Sequence, residues 1–289
     1  HRYIRRQRQM CIRDRINKEC FRKDSRAMTI NIRKLEVTDT KMLGANMKRI
    51  TLHGDDLLDF PENQESGYVK VRFPKALEDL EKNTNKNFDL RSYTIRSFDP
   101  DKLELVLDFL LHGDSGPASK WASSVERGEV IEIAGPGPAI LASTEADWYL
   151  FAGDMTALPA IAVNLEKLST KSEGLALIEI NSLEDQQELI KPQGVEVKWI
   201  LNPDPLQGCQ ELMKALQDVE WKGNNPYAWV AGEFELMRFA RKLIKHDKSF
   251  SKESMYLSCY WKIGADDPGM KKAKAALILL DSIKNLFRF

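Results

Sequence analysis

Ala134-Gly135-Pro136-Gly137-Pro138 divides the chain. Glycine and proline in this density oppose both a helix and a regular ladder, and the hydrophobic pattern differs on the two sides. Upstream, residues 47–52 and 68–73 alternate apolar and polar side chains, and Pro74 closes the second run. Residues 91–96 and 103–111 are rich in β-branched or apolar side chains, with Asp99-Pro100-Asp101 as the turn between them, and residues 129–133 form a further run after Gly128. Period-two runs separated by short turns predict an antiparallel barrel or sandwich. Downstream, short apolar runs at 148–151, 175–180, 195–200, 227–231 and 255–259 predict strands. Helical patterns are read between most of them, from 154 to about 168 and over 183–190, 207–219 and 233–246. Strands alternating with helices predict βαβ units and a parallel sheet. The expected organisation is therefore a β domain over residues 28–140, an α/β domain over 141–265 and an amphipathic C-terminal helix over 266–289.

The 289 residues carry 43 basic and 43 acidic side chains, but the charges are not evenly spread. Residues 1–27 hold ten basic and three acidic groups, which leaves 33 basic and 40 acidic groups in residues 28–289, a net charge of −7. An acidic body argues against a general nucleic-acid binder. The basic head could serve as an arm for nucleic acid or an anionic membrane surface, but it lacks the apolar region of a secretory signal. Residues 6–15 also resemble the peptide read when sequencing-adapter DNA is translated onto a gene fragment, so Met28 is the expected start and the head is set aside. The apolar run Ala275–Leu280 falls far short of the ~20 residues a membrane helix needs. Four cysteines in 289 residues do not make a disulfide scaffold, which favours a reducing, cytoplasmic setting. Cys209 and Cys259 have no His or Cys at metal spacing, so no metal site is expected.

Four segments carry chemistry. Arg91-Ser92-Tyr93-Thr94 is read as a strand that brings Arg91, Tyr93 and Thr94 to one face, offering a guanidinium, a flat ring and a hydroxyl. Asp108-Phe109-Leu110-Leu111-His112-Gly113 ends a strand, and Gly116-Pro117-Ala118-Ser119-Lys120-Trp121-Ala122 then opens a helix with proline in its first turn. A helix start after a small-residue loop is an anion site, because free N–H groups and the dipole both face the ligand. Gly153-Asp154-Met155-Thr156-Ala157 and Ala231-Gly232-Glu233 are strand-to-helix turns of the α/β domain, where open sheets receive ligands. No G-x-G-x-x-G is present. Tyr256-Leu257-Ser258-Cys259-Tyr260-Trp261-Lys262-Ile263-Gly264 closes the last strand. Taken singly, each has an ordinary reading: a polar-faced strand, a loop histidine, a capping serine, a tight turn, a solvated lysine.

Together, the Arg-x-Tyr-Thr strand, His112-Gly113, the run from Gly116 to Ala122 and Gly135-Pro136-Gly137 resemble the siderophore-interacting protein family. These are flavin-dependent ferric-siderophore reductases of the ferredoxin–NADP reductase-like superfamily, and the resemblance spans about residues 35–264. It implies an FAD-binding barrel followed by a domain like those that bind NAD(P)H. Tyr93 is then expected against the isoalloxazine ring, Thr94 near its reactive edge, and Arg91 and the Gly116–Ser119 helix start at the pyrophosphate. Ser92, Asp108, His112, Pro117, Ala118 and Trp121 belong to the same implied cofactor set. Gly153, Asp154, Thr156, Ala157, Gly232 and Glu233 are implied to receive the nicotinamide, and Trp261 to close over the flavin. Lys262 is the candidate contact for an anionic ferric siderophore.

Two departures matter. Cys259 stands where the family has glycine. Asn202-Pro203-Asp204 follows the strand where NADPH-preferring members carry a basic residue, and an acid there repels a 2′-phosphate. NADPH preference is therefore in doubt, and NADH, NADPH and reduced ferredoxin all stay open as donor. The alternatives kept open are a flavin-binding siderophore carrier without turnover and a general NAD(P)H:flavin reductase.

Overall fold

The computed structural model describes residues 31–75, 87–113, 116–248 and 250–265. The expectations for residues 1–27 and for a helix over 266–289 lie outside these residues. Six strands, β1 (Ile32–Met42), β2 (Met47–His53), β3 (Tyr68–Pro74), β4 (Phe88–Asp99), β5 (Glu104–Leu110) and β6 (Val130–Gly137), close into an antiparallel barrel in the order β1-β2-β5-β4-β3-β6. Alternation sets the inside. Val69 and Val71 of β3, and Leu105, Leu107 and Phe109 of β5, share one buried core, while the residues between them turn outward. Helix α1 (Pro117–Ser124) lays Ala118, Ala122 and partly Trp121 onto this core.

The Gly-Pro segment is part of β6, a correction to the reading of a break after residue 133. Residues 134–137 stay in the ladder because Ala134 pairs with Lys70 and Gly137 with Tyr68 across a bulge. A Cβ on Gly137 would lie 2.3 Å from the Tyr68 ring, so only glycine lets the ring sit there.

The second half is a parallel sheet of five strands, β7 (Trp148–Gly153), β8 (Gly174–Ile180), β9 (Val195–Leu201), β10 (Pro226–Glu233) and β11 (Met255–Trp261), in the order β11-β10-β7-β8-β9. β7 is buried along its whole length, as the central strand of a sheet covered on both faces must be. Helix α2 (Leu158–Lys167) packs on one face; α3 (Gln210–Gln217) and α4 (Phe234–Ala240) cover the other.

One helix expected from the sequence pattern is absent, one is shorter, and one changes type along its length. Residues 183–190 hold only a 3₁₀ turn at Leu183–Asp185. Asp185 there accepts from the N–H of Ser182 and reaches the barrel, while Leu183 and Ile190 stay exposed, so no apolar face holds a helix together. Over 207–219 the α-helix begins at Gln210, after a 3₁₀ turn at Pro205–Gln207 and Gly208 at φ 107°. Over 233–246 it runs as α4 and continues as a π-type turn at Arg241–Asp247.

The barrel and the sheet are clasped by polar side chains. Asp185, fully buried, accepts from the backbone N–H of Asn46 at 2.7 Å and from its side chain at 2.8 Å. Arg96 of β4 forks onto Glu166 of α2, and Lys167 reaches Glu65 at 3.1 Å. Asn164 of α2 donates to Ser66 and to its own helix, and holds the connecting segment through the N–H of Ala142. Met47, Leu43 and Leu110 add the apolar part of the seam. Among the described residues no helix is long and apolar enough to cross a membrane.

Candidate functional site

The expected residues gather into two groups. The first lies at the mouth of the barrel under α1. Tyr93 and Val69 face each other across β4 and β3, so Tyr93 points to the inner side, as do Arg91 and Ile95. Thr94 falls on the opposite face. Residues 91, 93 and 94 cannot share one side of a strand when side chains alternate, which corrects the expectation of a common face. The Tyr93 ring packs against Phe109 with centroids 4.0 Å apart and planes tilted by 30°, and Phe109 meets Trp121 at 5.4 Å. One aromatic row thus runs from β4 across β5 to α1 and joins the two motif segments. Burial pushes the Tyr93 hydroxyl above its ordinary range, against the pull of Arg91. Arg91 donates to the carbonyl of its neighbour Leu90, and Ser92 accepts from Lys70.

The start of α1 is fixed from below. Ser119 is buried, and its hydroxyl accepts from the backbone N–H of His112 at 2.9 Å, which ties the end of β5 to the first turn of the helix. The His112 ring passes close to Gly116, where a Cβ would stand 3.6 Å from Cε1. Gly116 is the N-cap and no side chain of the described residues caps the helix. Pro117 and Ala118 complete the first turn. Asp108 turns outward from β5 and is taken up by Arg49, its cross-strand neighbour, at 2.7 and 2.8 Å. That hydrogen bond raises the affinity of Arg49 for its proton.

The second group sits at the carboxyl ends of β7, β10 and β11, where the strand order reverses. Asp154 is its hub. The carboxylate accepts from the N–H and hydroxyl of Thr156, from the N–H of Glu233 at 2.8 Å, and from the indole N–H of Trp261 at 2.8 Å. Burial raises its pKa, and these donors oppose the rise, Thr156 and Trp261 foremost. A Cβ on Gly232, at φ 147°, would stand 2.5 Å from the Asp154 carboxylate, and one on Gly153 2.7 Å from Ala157. The small residues are what allow the turns to close on the acid. Glu233 accepts from the N–H of Glu235, capping α4, and from that of Ile263 at 3.2 Å. Lys262 lies over the ring of Phe234 at 4.7 Å.

Comparison with known proteins fits this geometry. Residues 36–140 match the model for the siderophore-interacting FAD-binding domain, and residues 146–264 match the model for siderophore-interacting protein. The chain is 30% identical over 247 residues to ferric vibriobactin reductase ViuB of Vibrio cholerae, covering 81% of this chain and 91% of that one. The chain belongs to the siderophore-interacting protein family. Its fold is shared with the crystal structure of the siderophore-interacting protein SipS from Aeromonas hydrophila, with a TM-score of 0.74 and 28% identity, covering 86% of this chain and 98% of that one. Phthalate dioxygenase reductase, at 12% identity and a TM-score of 0.55 over 82% of this chain and 69% of that one, shares the architecture alone. An NADPH-dependent ferric-chelate reductase of Escherichia coli is 22% identical over 80% of this chain and 93% of its own.

Sequence reasoning missed the middle of the aromatic row, Phe109, and the partner of Asp108, Arg49. Neither carries a motif signal, because the contacts are made across strands. It also missed Glu179, the single acid in the apolar strand β8, which was visible as a charge in the wrong place.

Proposed function

We propose that this protein is an FAD-dependent ferric-siderophore reductase that draws electrons from NADH and delivers them to Fe(III) in an anionic chelate. The observation that carries the reading is the aromatic row Tyr93–Phe109–Trp121, beside a helix start that no described side chain caps. The residues fit FAD. A flat ring at the barrel mouth suits an isoalloxazine face, and backbone N–H groups at Gly116–Ser119 with the guanidinium of Arg91 suit a diphosphate. FAD supplies the step between a two-electron donor and a one-electron acceptor.

The chain's own residues have positioning tasks. Tyr93 is held by Phe109 and gives the ring system a fixed platform. Thr94, on the other face of β4, offers its hydroxyl and backbone to the reactive edge. Ser119 and His112 fix the helix start against β5, and Trp121 seals the mouth from water. Asp108 anchors β5 to β2 through Arg49 and acts at one remove. Asp154, Thr156 and Glu233 shape the turns that receive the dinucleotide, with Gly153, Ala157 and Gly232 letting those turns close on the acid. Trp261, held by Asp154, forms the wall beside the flavin, and Lys262 offers its charge to the chelate.

The donor follows from charge. Asn202 and Asp204 close β9, and Asp204 accepts from the N–H of Leu206 and from Gln207. That carboxylate repels a 2′-phosphate. The acidic body likewise disfavours an acidic protein donor such as a ferredoxin.

Residues 28–289, purified, should be yellow, and the triple variant Arg91→Ala, Tyr93→Ala, Ser119→Ala should lose the flavin spectrum. An unaltered spectrum in that variant overturns the site. Anaerobic mixing of the reduced protein with a ferric catecholate should reoxidise the flavin. Binding without reoxidation would make it a carrier, and preference for free flavins in competition would make it a general flavin reductase.

A further inference from the structure

β8 ends in a group that the proposed reaction does not use. Ala176, Ile178 and Ile180 face the α2 side of the sheet, so Glu179 points the other way, with Leu177, toward α3. Glu179 is 2% exposed, and its Oε2 is buried without a hydrogen-bond partner. The groups around it come from each neighbouring element. Asn202 at the end of β9 gives its side-chain amide to the carbonyl of Gly208 at 2.8 Å, and Asp154 from the β7 turn sets its charge against the carboxyl. Cys209 at the start of α3 is neutral, its thiol pushed up to about 12 by burial and then by Glu179, Glu233 and Asp154. Lys198, the cation on this face of β9, reaches Glu196 at 3.5 Å.

The three acids are not equivalent. Asp154 is surrounded by donors, and Glu233 has two backbone N–H groups. Glu179 has an oxygen with none. A buried charge without donors is unfavourable, and a carboxyl so placed takes up a proton instead. Burial, with Asp154 adding to it, lifts the Glu179 pKa to about 7.

We propose that Glu179 couples the binding of the dinucleotide donor at this sheet edge to proton uptake from water, a fraction of one proton near neutral pH. The proposal rests on the reading of NADH as donor. A diphosphate arriving at the turn 153–157 adds negative charge near a carboxyl already facing Asp154. The protonated form is then favoured further, and by linkage the protonated protein binds the donor more tightly. Affinity therefore falls as pH rises through neutrality. Nothing at Glu179 touches the reacting atoms, and its role is that of a positioning residue that lowers the negative charge of the edge when the donor binds.

The test is calorimetric titration of the FAD-loaded chain with NAD⁺ as probe, near pH 7, in two buffers of different ionisation heat. The wild type should show a buffer-dependent heat equal to a fractional proton uptake. Its affinity should weaken several-fold between about pH 6 and about pH 8.5. Glu179→Gln should bind NAD⁺ with no buffer dependence and a flat pH profile. An infrared band of a protonated carboxyl that grows on adding NAD⁺ to the wild type gives the same answer without a variant. Equal proton uptake in wild type and Glu179→Gln, or a silent infrared spectrum, overturns the coupling alone. A wild type that binds neither NAD⁺ nor NADP⁺ overturns the donor reading, and the coupling with it.

Discussion

The barrel mouth and the sheet edge use polar groups in opposite ways. At the mouth, the motif residues present a partly buried ring, a guanidinium and a helix start, and the polar contacts that hold the region lie behind them, in Ser119 with His112 and Asp108 with Arg49. At the edge, the motif acids themselves are the support. Asp154 and Glu233 spend their lone pairs on turns and strand ends. A motif acid is therefore weak evidence of contact with a ligand, and a motif ring or uncapped helix start is stronger evidence. Variants that separate support from contact can break this contrast.

The largest effect is expected at Asp154. Asp154→Ala leaves the partly buried indole N–H of Trp261, the partly buried N–H of Thr156 and the buried N–H of Glu233 without this acceptor, at roughly 1–3 kcal/mol for each donor that stays out of water. Chemical denaturation should show a loss of about 3–5 kcal/mol, with the flavin spectrum of the remaining folded protein retained. A loss below about 1 kcal/mol would mean that the turn is held by something else. Glu179 comes next, with the opposite sign. Its pKa of about 7 lies above the unfolded value of 4.5. Between those two pH values the folded chain holds the proton more tightly than the unfolded chain. Stability from this group is thus complete below the unfolded value and declines as pH rises toward neutrality. At about 1.4 kcal/mol per unit, Glu179→Gln should be more stable than the wild type by up to about 3 kcal/mol at about pH 8. The two should match at about pH 4, and equal midpoints at both pH values would contradict the burial argument.

These two residues also mark what the sequence made legible. Asp154 sits in a strand–turn–helix run of small residues, so its place at a ligand edge follows from local pattern. The whole division into barrel and parallel sheet follows likewise, because period two and alternating strand and helix are local properties. Partnerships made between distant positions are not. Asn46 meets Asp185 across 139 positions, and nothing near either residue names the other. The same contact explains the helix wrongly read over 183–190, where the acid that would sit on a helix surface is drawn into the barrel seam. Thr94 departs from the expected common face for a simpler reason: its neighbour Tyr93 occupies the inner face.

The smallest effect tests the other half of the comparison. Ser119 stands beside the helix start, and two roles compete for its hydroxyl. The hydroxyl already accepts from the His112 N–H and is 1% exposed. Ser119→Ala should then lower stability by about 1 kcal/mol, the net worth of one hydrogen bond. Flavin affinity should change by only a few-fold, because the backbone N–H groups of the first turn remain. Arg91→Ala should do the reverse, with its side chain bonded only to a neighbouring carbonyl among the described residues. It should leave the unfolding midpoint nearly unchanged and weaken FAD by tenfold or more, the scale of a lost charge-assisted contact at roughly 1.5–3 kcal/mol. If Ser119→Ala were instead the variant that lost FAD at unchanged stability, the serine would touch the ligand. The barrel mouth would then follow the same rule as the sheet edge, with support and contact vested in one side chain.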